Sequence, residues 1–212
     1  MSYADPSVLS ISEPKPATLP AQEKRIALID HPDFAAFDTV LLISGFTGIT
    51  FTLSVLFDIA HRASSGKLPV RHLKFVWAVK KIPWISWVSE ELKAAFLELQ
   101  SIGIDTSIDI YVTKGNLPPS SQDISPPLTP DHDRLNIQSI TSFVSLKPGR
   151  PSFRLIQEFS DTDEGKMGVA VCGPVGMSAS VRNTVATVSM GKALGRGTGV
   201  QSITLHAECF SW

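Results

Sequence analysis

The stretch DTVLLISGFTGITFTLS, residues Asp38–Ser54, decides the fold. Its apolar run Val40–Ile43 predicts a strand buried on both faces. Gly45 and Gly48 follow and remove side chains where a ligand must approach closely. The residues after them open a helix whose free N–H groups and positive dipole end suit an anion such as phosphate. A second junction, GVAVCGPVGMSAS at Gly168–Ser180, repeats the logic with Val169–Cys172 as strand and Gly173, Pro174 and Gly176 as turn. Ser178 is placed there to cap a helix. Neither junction has the G-x-G-x-x-G spacing.

Between the junctions, strands and helices alternate. Val55, Leu56, Ile59, Ala60 and Ala63 form a helical stripe that Ser65–Gly66 ends, and Leu73–Val79 predicts a second strand. Val88, Leu92, Ala95, Phe96 and Leu99 predict an amphipathic helix, and Ile108–Thr113 a third strand. Lys114–Lys147 is rich in Pro, Ser, Asp and Thr, and reads as a disordered surface insertion. Phe153, Leu155, Ile156 and Phe159 then suggest a helix, Gly168–Cys172 a fourth strand, Val181, Val185 and Val188 the helix behind it, and Ile203–Ala207 a fifth strand. The expected architecture is an α/β fold with a doubly wound parallel five-stranded sheet, order 3-2-1-4-5. Residues 1–37 read as a mostly flexible segment, and 38–212 as one domain.

Bulk properties narrow the function. The chain has 212 residues and a formal net charge of −1, with no basic stripe interleaved with aromatics, which sets nucleic-acid binding aside. Its 2 cysteines and 5 histidines show no metal-ligand spacing. The uncharged stretch Thr39–Phe57 carries too many Ser, Thr and Gly residues to be a membrane helix, so no transmembrane segment is expected.

Taken in order, the motifs resemble the NAD(P)H-binding half of the ferredoxin-reductase superfamily, and within it the ferric-chelate reductase and NADPH oxidase family in its fungal form. The pattern G-G-[ST]-G-[IV]-[ST]-F-T-L is matched from Gly45 to Leu53, with Phe46 in place of the second glycine. W-[AV]-V-[RK] matches Trp77–Lys80, W-V-x-x-E-L matches Trp87–Leu92, and Y-V-T matches Tyr111–Thr113. G-R-P matches Gly149–Pro151, C-G-P-x-G-M matches Cys172–Met177, and E-x-F-x-W matches Glu208–Trp212. The resemblance runs from Asp38 to Trp212.

It implies an oxidoreductase module that takes NADPH and delivers hydride to FAD, with electrons passing onward through haems to ferric iron. Gly45, Thr47, Gly48, Ile49, Thr50, Thr113, Gly173, Pro174, Gly176, Met177 and Phe210 would hold the dinucleotide. Lys80 and Lys81, at the end of the second strand, and Arg150 would read the adenosine 2′-phosphate, although a lysine is also at home as a solvated surface charge. Lysine at position 80, where many relatives have arginine, offers a point charge rather than a fork. Cys172 would stand beside the reacting nicotinamide carbon; a buried cysteine at a strand end is also commonly a small hydrophobe. Glu208 would lie near the reacting atoms, and Trp212 would cover the flavin. The family's flavin-binding and haem membrane domains are the implied partners, on the cytosolic face of a membrane. Their motifs do not occur in this sequence, and residues 1–37 resemble a remnant of the flavin domain's end. The chain by itself is therefore expected to turn nothing over. The alternative is a non-catalytic nucleotide-binding fragment of a truncated reductase.

Overall fold

The computed structural model describes residues 32–114, 140–196 and 199–210. One parallel sheet of six strands organises them: β1 (Thr39–Gly45), β2 (His72–Val79), β3 (Asp105–Val112), β4 (Val144–Pro148), β5 (Lys166–Pro174) and β6 (Ser202–Phe210). Their order is β4-β3-β2-β1-β5-β6. From β1 the chain winds outward to β4, returns to pair β5 with the free side of β1, and ends on β6. The strand order thus reverses between β1 and β5, the place where open α/β sheets bind ligands.

Every residue of β1 is buried, as its continuous apolar run requires of a strand covered on both faces. Alternate side chains feed two cores. Val40 and Leu42 join Phe75, Leu56, Ile59, Leu92 and Leu99 beneath α1 (Ile49–Ser65) and α2 (Ser89–Ser101). Leu41 and Ile43 join Val76, Val169, Val171, Ile156, Val181 and Val185 beneath α3 (Arg154–Thr162) and α4 (Val175–Ala193).

Two expectations, the strand count and the cap at Ser178, need correcting. The sheet has six strands, because Val144–Pro148 pairs in parallel with β3 where an insertion was expected. The rest of that expected insertion, 115–139, lies outside the described residues, as does 1–31. Residues 34–36 form a short 3-10 turn in which Phe34 and Ala35 are buried in the first core. Ser178 caps nothing. α4 begins at Val175, and the buried Ser178 hydroxyl donates to the Glu208 carbonyl at 3.2 Å, tying α4 to β6.

The edge strand β4 is short and ends in proline, which a sheet tolerates at its margin. An ionic contact reinforces it. Asp109 of β3 is 5% exposed, and its Oδ2 accepts from Lys74 Nζ of β2 at 2.8 Å and from Lys147 Nζ of β4 at 2.7 Å. The Asp109 carboxylate raises the Lys147 ammonium above its ordinary range, against the opposing effect of burial.

Replacing Asp109 leaves two lysines without their buried counter-charge. Asp109→Asn is expected to destabilise the fold by roughly 2–3 kcal/mol, read as a lower midpoint in chemical denaturation. Because the Lys147 pKa is raised in the folded state, its contribution is complete below the ordinary value of 10.5 and is lost as pH rises through the folded value. The gap between wild type and Asp109→Asn is therefore expected to narrow in alkali.

Candidate functional site

The two glycine junctions meet at the carboxyl ends of β1 and β5. There the chains approach so closely that side chains have no room. A Cβ on Gly48 would lie 2.0 Å from the Cys172 carbonyl oxygen, and one on Gly45 would lie 2.8 Å from Pro174 Cδ. A Cβ on Gly173 would meet Met177 Sδ at 2.9 Å and the Gly45 backbone nitrogen at 3.2 Å. Protein packing therefore explains these three glycines. Gly176 differs, since a Cβ there would meet nothing within 4 Å.

A cleft of about 460 Å³ opens beside this junction, on the side of α3 and α4. Gly45 and Phe46 line it together with Pro174, Gly176 and Met177, and of these Pro174 and Met177 pack against Gly45. Lys80, Thr113 and Lys114 reach it from the ends of β2 and β3, and Arg150 and Phe153 from the segment after β4. The backbone carries these cations there. The β2–β3 ladder continues past the strand ends through Thr113 N–H to Val79 O at 2.8 Å and Lys114 N–H to Lys80 O at 3.1 Å. The Thr113 hydroxyl also donates to Val79 O, at 3.0 Å. Beyond β4, Gly149 takes φ +85°, favourable only for glycine, and its N–H bonds Val112 O at 2.9 Å. That turn delivers Arg150 to the cleft and buries Pro151.

Phe46 is the unusual wall. Its φ of +52° lies in the left-handed region, which costs a residue bearing a Cβ roughly 1–2 kcal/mol. Its carbonyl accepts from Trp77 Nε1 at 3.0 Å, and its ring lies 4.5 Å from that of Trp84, centroid to centroid. Lys80 Nζ stands 5.1 Å from the same ring centroid, within cation–π range.

A second group occupies the α1 side of the β5 end. Cys172 is fully buried, with Sγ 3.7 Å from Glu208 Oε2 on the neighbouring strand. His206 Nε2 lies 3.3 Å from Glu208 Oε1, and its ring is 5.4 Å from that of Phe51. Burial pushes the Cys172 thiol up to about 12, and the adjacent Glu208 carboxylate adds to the shift. It stays protonated at neutral pH. That environment disfavours a thiolate. Phe210 Cε2 would come within 3.2 Å of a Cβ on Gly48, so it sits against the first turn.

The cleft thus gathers Gly45, Lys80, Thr113, Arg150, Pro174, Gly176 and Met177, while Cys172, Glu208, Gly48 and Phe210 cluster across the β1–β5 junction. Lys81 is exposed and stands apart from the cleft wall; its carbonyl accepts from Trp84 N–H at the start of the 3-10 turn Ile82–Trp87. Ile49 is buried as the first residue of α1. Thr47 and Thr50 are exposed at that helix start, with the Thr50 hydroxyl bonded to Thr47 O. Trp212 lies outside the described residues. Lys114, Phe153 and Phe46 are lining residues that the sequence did not single out. Lys114 had a signal, since it directly follows the Tyr111–Thr113 motif at the end of β3. Among the described residues no group of His, Cys, Asp and Glu is arranged to hold a metal, and no helix is long and apolar enough to cross a membrane.

Comparison with known proteins adds a family. The family model described as the ferric reductase NAD binding domain matches residues 37–186. Over 61 residues the chain is 38% identical to the probable cell surface ferric reductase kap2 of Aspergillus oryzae. That match takes in 29% of this chain and 8% of the relative, so the shared segment spans under a tenth of kap2.

Two substitutions separate packing from cleft function. Gly48→Ala drives a Cβ into a backbone carbonyl and is expected to destabilise the fold by about 1–3 kcal/mol, measured by thermal unfolding. Gly176→Ala has open space around it and is expected to leave the melting temperature unchanged. The thiols offer an independent check. At pH 8 a thiol reagent is expected to label the exposed Cys209 in the native protein and Cys172 only after denaturation.

Proposed function

The chain belongs to the family of ferric reductase NAD-binding domains, and from that premise we propose that it holds NADPH as the dinucleotide module of a ferric-chelate reductase. The observation that carries this reading is the charge of the cleft. Lys80, Lys114 and Arg150 converge on a space bounded by two glycine turns, at the point where the strand order reverses. Polyphosphate esters are the ligands that such a setting attracts, and the phosphate on the adenosine ribose distinguishes NADPH from NADH. Bound there, the dinucleotide would supply a hydride to FAD held by a flavin-binding part of the reductase; the two electrons would then leave FAD one at a time through haems at a membrane, each reducing one ferric ion, with the proton released.

This chain's own residues bind, orient and exclude water. Arg150 offers a planar fork that two phosphate oxygens can share, whereas Lys80 and Lys114 act as point charges. The start of α1, with Thr47 and Thr50 exposed beside it, adds N–H groups and the positive end of a helix dipole. Phe153, Met177 and Pro174 supply apolar surface for a base or a ribose face. Across the junction, the Glu208 carboxylate offers the nicotinamide end an acceptor, with the buried, protonated Cys172 thiol donating to it from beneath. The thiol takes no covalent part. Its role is to shape the dry end of the site and to fix the carboxylate.

The proposal predicts that the purified chain binds NADPH more than about tenfold more tightly than NADH, because one charge-assisted contact to the extra phosphate is worth roughly 1.5–3 kcal/mol. Isothermal titration calorimetry measures both constants. Lys80→Ala and Arg150→Ala are each expected to narrow the preference. Equal affinities in the wild-type chain count against NADPH, and an absence of binding to either counts against the whole assignment.

A further inference from the structure

Phe46 stands where the family pattern has a glycine, and it is the one non-glycine residue with positive φ among the described residues. Such an outlier persists only where its surroundings hold it, and it marks a place where something is gained from the strain. Here three contacts hold it. Trp77 Nε1–H fixes its carbonyl, the Trp84 ring backs its ring, and the Lys80 ammonium lies over that ring at 5.1 Å from the centroid. Phe46 and Lys80 both line the cleft, and Trp84 packs against the Phe46 ring.

A lysine ammonium rides on a flexible four-carbon stem, and an exposed one loses much rotamer freedom when it grips a phosphate. An aromatic face beneath it removes part of that loss in advance, because the ring quadrupole already holds the charge at one place. A glycine at position 46 would satisfy the turn without strain but would offer the ammonium no such seat. We propose that Phe46 is a positioning residue that seats the Lys80 ammonium on the cleft wall and so sets the preference for the phosphorylated over the unphosphorylated nicotinamide dinucleotide. The inference rests on the NADPH reading above and goes beyond it by assigning the preference to a ring that touches no phosphate.

The experiment compares NADPH and NADH affinities by calorimetry in the wild type, Phe46→Gly, Phe46→Asn, Phe46→Tyr, Lys80→Ala and the double variant Phe46→Gly/Lys80→Ala. Glycine and asparagine both tolerate the left-handed conformation, so the turn keeps its shape without the ring. The NADPH-to-NADH affinity ratio is expected to fall about three- to fivefold in Phe46→Gly and Phe46→Asn and to be kept in Phe46→Tyr. In the Lys80→Ala background, Phe46→Gly is expected to change the ratio no further. A ratio that survives loss of the ring, or that falls equally without Lys80, overturns the inference. A wild-type chain that binds both dinucleotides equally overturns it while leaving dinucleotide binding standing, and one that binds neither overturns both. A measurement on the unaltered chain is independent of folding in the variants: the Lys80 ε-methylene protons are expected upfield of the other lysines through the ring current of Phe46, and a position among the other lysines overturns the inference.

Discussion

With a Cβ on Gly48 only 2.0 Å from the Cys172 carbonyl oxygen, α1 can begin where it does because that position carries no side chain. That single close approach sets how tightly the start of α1 seats against the end of β5, beside the ladder that pairs β5 with β1. Gly45 and Gly173 then interlock, Met177 closes over them, and the starts of α1 and α4 are brought to the same edge of the sheet. The cleft and the Cys172–Glu208 pair both take their places from this junction. A bulkier residue at position 48 would push the start of α1 off the end of β5 at the site itself.

The junction also divides the chemistry. On the side of α3 and α4 the strand ends present lysine and arginine around open space. On the side of α1 a thiol is kept neutral by burial and by a neighbouring carboxylate, with a histidine and aromatic rings around it. One side favours concentrated negative charge; the other favours a flat, weakly charged group. A dinucleotide has such ends, phosphate-rich at the adenosine and planar at the nicotinamide, and the proposed reading sets each against the side that suits it.

Much of the fold was legible because β1 and β5 are continuous apolar runs and α1 and α2 carry clean stripes, so the physics that buries them also writes their pattern. β4 escaped because VSLKP at Val144–Pro148 is short, half polar and ends in proline, as an edge strand is permitted to be. Lys80 and Lys81 looked equivalent in sequence. Successive residues at a strand end point to opposite faces, and only the final register shows that Lys80 reaches the cleft while Lys81 leads into the next turn. Ser178 has the chemistry of a cap, yet α4 starts three residues earlier and its hydroxyl is spent on β6. The three glycines look alike as ligand-approach signals. What they relieve in the structure is contact between two protein turns, and no single sequence distinguishes the two causes.

Arg150 lies two residues beyond Pro148, the last residue of β4. The guanidinium that faces the cleft is thus tethered to the outermost strand, whose outer edge no other described strand pairs with and which the Asp109–Lys147 contact staples down. Fraying of that margin withdraws a cation from the site, so the opening of β4 and the occupancy of the cleft are two sides of one equilibrium. A ligand gripped by Arg150 consequently slows hydrogen exchange at the far rim of the sheet, three strands away from the glycine turn that began it.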